Sequence, residues 1–176
     1  MKRRDPGISE KRARLVALIE HLDAGVGRVL DAFDRTGLAT NTLVIFTSDN
    51  GGVLANGANN GPWRAEKGHV YEGGLRVPGA ARWPGVIEAG ASTDRTTLTM
   101  DIFAAACAAA GLTPPPEIDG VSFLPALRGE PESGQRRDFY FVRRAGARCG
   151  RGHNDAHRTG LMTSLKMLTI IRRAGH

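Results

Sequence analysis

The run Leu43-Val44-Ile45-Phe46 constrains this chain more than any other feature. Four consecutive apolar residues, two of them β-branched, leave no polar side to turn to water. The segment therefore reads as a strand covered on both faces. It leads directly into Thr47-Ser48-Asp49-Asn50-Gly51-Gly52. Upstream, Leu15, Leu18, Ile19, Leu22, Val26, Val29, Leu30 and Phe33 recur at three- and four-residue steps, which predicts one amphipathic helix over 9–36. Ser9 can cap its start, and Gly37 can take the left-handed conformation that ends it. A helix feeding a buried strand is the unit of an open α/β sheet. Polar residues just beyond the carboxyl end of such a strand stand where α/β folds place ligand chemistry.

The rest of the chain follows in shorter pieces. Residues 51–74 are rich in Gly and Asn and hold Pro62, which predicts a long irregular loop. A loop of that length in a compact domain is usually functional or mobile. Arg76 to Trp83 predicts a short strand bounded by Pro78 and Pro84. A second helix is expected over 95–110, with Leu98, Ile102, Phe103 and Ala106 inward, ended by Gly111 and Pro114-Pro115-Pro116. Asp119 to Leu127 reads as a loop running into a helical turn. Arg137–Val142 and Leu165–Ile171 read as strands of a small antiparallel sheet. The division expected is a main α/β region over 1–135 and a small, partial subdomain over 136–176.

Composition narrows the partners. Hydrophobic residues at 41% and charged residues at 24% are close to globular averages and argue against wholesale disorder. No apolar run approaches the roughly 20 residues that span a bilayer, so no membrane segment is expected. Met1-Lys2-Arg3-Arg4 has the charge of a signal-peptide start, but no apolar stretch follows it. Cys107 and Cys149 stand in unrelated contexts, too few for a disulfide framework. The net charge of +6 is concentrated in residues 136–176, where ten basic residues face only Asp138 and Asp155. Those arginines form no stripe and have no regularly spaced stacking aromatics. A solvated or partner-covered face is the expectation there, not nucleic-acid binding.

Four groups of residues can bear chemistry. Asp49 and Asn50 are adjacent hard oxygen donors suited to Ca²⁺ or Mg²⁺; a solvated Asp-Asn-Gly turn is the other reading. Lys67, on a glycine-flanked loop, can aim a compact positive charge at an anion or a leaving oxygen; otherwise it is a surface lysine. His69 can act as a general base near neutrality, or is simply a loop histidine packed on Tyr71. His153 and His157 have a metal-like spacing, but the glycines around them argue against the helix that spacing needs.

In sequence order these pieces resemble the sulfatase family of the alkaline-phosphatase-like superfamily. Leu22-Asp23-x-x-Val26-Gly27-Arg28-Val29-Leu30 is similar to the family's helix before its metal strand. Asn41-Thr42 through Asp49-Asn50-Gly51 is similar to its second metal-ligand strand. Lys67-Gly68-x-x-Tyr71-Glu72-Gly73-Gly74-x-Arg76-Val77-Pro78 is similar to its second signature loop. Arg82-Trp83-Pro84-Gly85, Asp101-Ile102-Phe103 and Asp119-Gly120-Val121-Ser122 continue in family order. The resemblance implies an α/β fold: part of a mixed or parallel sheet flanked by helices, followed by a small antiparallel sheet. It also implies Asp49 and Asn50 as Ca²⁺ ligands, Lys67 in contact with the sulfate and its bridging oxygen, and Glu72 and Arg76 as residues that hold the loop in shape. The implied reaction is hydrolysis of a small-molecule or glycan sulfate ester by a formylglycine made from Cys or Ser in Cys/Ser-x-Pro-x-Arg.

One departure from that pattern is decisive. None of the nine prolines has Cys or Ser two positions before it, so the formylglycine segment is absent from this sequence. The family's first pair of metal aspartates and its mid-chain histidine and lysine motifs are missing as well. The expectation is a truncated or split sulfatase, inactive alone, with an exposed sheet edge through which copies self-associate. The alternatives are a non-catalytic binding or scaffold protein that reuses the fold, and a relative that hydrolyses phosphate esters.

Overall fold

The structure is a computed structural model and describes residues 7–131, 137–141 and 160–162. Helix α1 spans Glu10–Arg35. The Ser9 side chain accepts the Arg12 N–H at 3.3 Å, and Gly37 follows the C-cap in the left-handed region at φ +72°. Both helix ends are therefore those read from the sequence. Strand β1 (Val44–Thr47) pairs antiparallel with β2 (Gly79–Arg82), with Val44 opposite Arg82 and Thr47 opposite Gly79. A one-turn helix, α2 (Glu72–Leu75), leads into β2. Helices α3 (Asp101–Ala109) and α4 (Leu124–Leu127) follow, and β3 (Phe139–Phe141) pairs antiparallel with β4 (Gly160–Met162).

The apolar run at 43–46 is a strand, but it is not covered on both faces. Every residue of β1 is half-buried, and β2 is its one strand neighbour among the described residues. One side of β1 packs through Leu43 and Ile45 against a core of Ala81, Ile87, Ala105, Phe123, Leu124 and Leu127. Small residues fill β2, and Ala81 from this strand shares the core with Ala105; both are almost completely buried.

The second helix differs from its expected form in start and face. It begins at Asp101 because the Asp101 carboxylate accepts the Leu98 N–H at 2.9 Å, which diverts the preceding backbone from helical bonding. Its buried face is Asp101, Ala104 and Ala105, while Phe103 is exposed. The alanine face packs close to Phe123 and Leu124, and the bulkier Phe103 is left outside. Cys107 is half-buried on this helix.

Asp101 is also the tie to β3. Its carboxylate accepts Val121 N–H at 2.8 Å and Arg137 Nη1 at 2.9 and 3.0 Å, and Arg137 donates onward to Asp119 O at 3.2 Å. A carboxylate that is 1% exposed needs those partners, since an unpaired buried charge is strongly destabilising. β3 lies within the expected Arg137–Val142 strand, and its neighbour is Gly160–Met162. The Leu165–Ile171 strand, His153, His157, Cys149 and the boundary at residue 135 fall outside the described residues.

Helix α1 is fastened at its two ends. Near its start, Lys11 Nζ and Arg12 Nη1 donate to Ala55 O and Gly57 O at 3.1 and 3.0 Å. Near its end, Asp34 pairs with Arg82 at 2.7 Å, which joins the helix to β2. Between these ties Leu18, Ile19, Leu22 and Val29 are exposed. Among the described residues no helix is long and apolar enough to cross a membrane.

Candidate active-site loops

Strand β1 ends at Thr47, whose hydroxyl donates to Pro78 O at 3.1 Å. Asp49 and Asn50 therefore stand just past the strand's carboxyl end. Asp49 is exposed and Asn50 half-buried. Ser48 Oγ lies 3.4 Å from both Asp49 Oδ1 and Asn50 O, which keeps this turn compact.

The following loop folds back onto that turn through its backbone. Gly51 N–H donates to Gly74 O at 2.9 Å, and Lys67 N–H donates to Gly52 O at 3.3 Å. Asn60 accepts Gly52 N–H at 2.9 Å and donates to Gly52 O and Ala65 O at 3.0 and 3.1 Å. Glu66 accepts Leu54 N–H at 2.6 Å, and Gly73 N–H donates to Arg64 O at 2.8 Å. The glycines of α2 permit this closure. A Cβ on Gly73 would stand 2.3 Å from Ala65 O, and one on Gly74 would stand 2.2 Å from His69 O. Backbone approaches this close exclude any side chain.

Two cation–π pairs brace the loop. Arg64 lies 4.0 Å over the Tyr71 ring, and Arg76 lies 3.9 Å over the Trp63 ring. Arg76 also pairs with Glu72 across one turn, which agrees with the supporting role expected of these two residues. Tyr71 faces Arg64, and the exposed His69 meets Glu66 O through Nδ1 at 3.1 Å. A carbonyl partner makes Nδ1 the protonated nitrogen, so Nε2 is the acceptor of the neutral ring.

The Lys67 loop meets the Asp49-Asn50 turn through its backbone: Lys67 N–H bonds Gly52 O, two residues beyond Asn50, and the Lys67 residue is exposed. Asn60 and Glu66, which nothing in the sequence singles out, make the closing bonds. The available signal for Asn60 was weak: an Asn beside a Gly in a polar stretch marks a turn, and does not say which backbone its amide will meet.

The donor set fits part of a calcium site. Asp49 and Asn50 supply hard oxygens, while Ca²⁺ takes about six to eight. Among the described residues no group of three or more His, Cys, Asp or Glu is gathered for a metal ion. Two such oxygens alone fall short of that number.

The α/β framework thus carries a carboxylate–amide pair past a strand end, and the backbone of the Lys67 loop is bonded to Gly52 just beyond that pair. The sulfatase family profile matches residues 2–112, and the chain belongs to the sulfatase family. It is 39% identical over 133 residues to steryl-sulfatase of Rattus norvegicus, covering 70% of this chain and 23% of that protein. It is 38% identical over 125 residues to N-acetylgalactosamine-6-sulfatase of Homo sapiens, covering 68% and 24%. Among solved structures, Ps i-CgsB in complex with k-i-k-neocarrahexaose superposes with a TM-score of 0.64 at 34% identity, covering 69% of this chain and 28% of that one. BT4656 in complex with its substrate D-glucosamine-2-N,6-O-disulfate superposes at 0.59 and 25% identity, covering 73% and 26%. The chain thus spans about a quarter of the length of these relatives.

Proposed function

We propose that this chain provides two calcium ligands and the sulfate-contacting lysine of a sulfate-ester hydrolase. The observation that supports the reading most strongly is the Lys67 N–H bond to Gly52 O, which closes the lysine loop onto the residues following Asp49-Asn50. In this reading Asp49 and Asn50 offer a carboxylate and an amide oxygen to Ca²⁺. The bound ion would neutralise sulfate oxygens as a Lewis acid. The Lys67 ammonium stands by the bridging oxygen, where it stabilises the negative charge that grows as the S–O bond breaks. His69, two residues away, can take or return a proton through Nε2. Mg²⁺ is the less suitable ion, since it demands a near-ideal octahedron while Ca²⁺ accepts a variable set of oxygens.

The relatives support a sulfate-ester substrate, with steryl-sulfatase among them. Two solved neighbours hold sulfated or carrageenan-type saccharides, and one curated relative is named for an N-acetylgalactosamine 6-sulfate. A glycan sulfate ester is the class proposed for the complete site. No Cys/Ser-x-Pro-x-Arg occurs in this sequence, so the isolated chain is expected to hydrolyse no aryl or sugar sulfate.

The test joins this chain to the nucleophile-bearing segment of a sulfatase relative and assays sulfate and phosphate esters side by side. Calcium-dependent sulfate release is expected. Lys67→Ala should lower kcat by about 10²-fold, as removal of one stabilising donor does elsewhere. Turnover confined to phosphate esters, or turnover indifferent to Lys67, would overturn the reading.

A further inference from the structure

We infer that Asn60 is a positioning residue which locks the Asp49-Asn50 turn and the Lys67 loop in one register; the inference deepens the reading of Lys67 and rests on it. Three observations meet at this side chain. Its half-buried amide satisfies both backbone groups of Gly52, accepting the N–H at 2.9 Å and donating to the carbonyl at 3.0 Å. Asn60 thus acts toward Gly52 as a neighbouring strand would. The second amide hydrogen goes to Ala65 O at 3.1 Å. The same Gly52 carbonyl receives the Lys67 N–H.

The bond to Ala65 has a specific task. Ala65 is the one non-glycine residue with positive φ among the described residues, at +68°. A residue with a Cβ resists that conformation. The resulting reversal lies two residues before Lys67 and returns the chain to Gly52. Space around Gly52 is also closed, since a Cβ there would meet Ala58 Cβ at 2.5 Å and Asn60 Oδ1 at 3.1 Å. One amide therefore connects the metal-side turn, a strained reversal and the lysine.

Asn60→Asp separates these contributions. The carboxylate still accepts the Gly52 N–H, but it has no hydrogens for Gly52 O or Ala65 O and repels both. Hydrogen exchange on the whole chain should show the Lys67 amide exchanging about tenfold faster, the equivalent of one lost bond, with Gly52 still protected. Ala65→Gly alone should leave Lys67 protected. Added to Asn60→Asp, it should recover part of the loss, because glycine needs no support at positive φ.

Sulfate titrated into the same proteins gives the second readout, with Lys67→Ala as reference. Asn60→Asp should weaken sulfate binding toward the Lys67→Ala level. Unchanged Lys67 exchange in Asn60→Asp, or faster exchange spread evenly over all amides, overturns the positioning role. Equal sulfate binding by wild type and Lys67→Ala overturns the reading of Lys67 instead, and exchange at Lys67 still decides the role of Asn60. Unaltered Lys67 protection in the Asn60→Asp/Ala65→Gly pair relative to Asn60→Asp alone rejects the assigned link to Ala65.

Discussion

The loops between Ser48 and Arg76 and the helix α1 are held in opposite ways. The loops have little regular structure, yet their shape is set by contacts within the segment: Gly51 on Gly74, Lys67 on Gly52, Asn60 on Gly52 and Ala65. Helix α1 has regular structure throughout its 26 residues, yet none of its residues is buried. Its end ties hold it in place, while the apolar stripe through Leu18, Leu22 and Val29 stays open. Backbone regularity and tertiary support are thus separate properties. Most helix stability in proteins comes from packing an amphipathic face, and here Leu15, Val26, Leu30 and Phe33 are half-buried while Leu18, Ile19, Leu22 and Val29 are exposed within the described residues.

The sharpest way to break the comparison is to add a methyl group where the loops meet. A Cβ on Gly51 would stand 1.8 Å from Gly73 O, a backbone atom that cannot swing aside. Gly51→Ala should therefore cost about 3 kcal/mol, the upper range for overpacking, read by urea unfolding followed through tryptophan fluorescence. A cost under about 0.5 kcal/mol, the level of an ordinary surface change, would mean the loops are not closed as described.

The stripe of α1 sets the next effect. An open row of large apolar side chains promotes association, and each leucine that becomes covered contributes about 1.5–3 kcal/mol. Leu22→Glu should therefore weaken self-association of the isolated chain by more than about tenfold, since 1.4 kcal/mol is a factor of ten. Sedimentation across a concentration series measures it. Association that is indifferent to Leu22 but falls when charge is placed along β1 would locate the contact at the sheet edge instead.

What could be read from the sequence follows the same division. Helix α1, both its ends and a strand, read at 43–46 and found at Val44–Thr47, were legible, because periodicity and capping are local signals. The neighbourhood of Asp49-Asn50 and Lys67 was legible only through family resemblance; nothing in their spacing says that a lysine N–H will meet Gly52 O. The face of α3 was misread for a physical reason. Periodicity marked Phe103 as inward, but the tight fit to Phe123 and Leu124 selected alanines, and Asp101 turned inward to hold Arg137. Partners such as Asp101 and Arg137 lie far apart in sequence, and no local pattern announces them.

The smallest expected effect is also the most informative about α1. Gly27 stands in the middle of the helix, where glycine is less favourable than alanine by about 0.5–1 kcal/mol. A Cβ there would meet nothing within 4 Å. With the helix flank open, Gly27→Ala should raise stability by about 0.5–1 kcal/mol, seen as a higher urea midpoint with an unchanged slope. The sign is what matters. A glycine kept at a cost to the helix is explained when another surface comes too close for a methyl group, as at Gly51 and Gly73. If Gly27→Ala destabilises the protein in solution, some surface packs against that flank of α1, and the contrast between a self-supporting loop region and an uncovered helix would no longer describe the molecule.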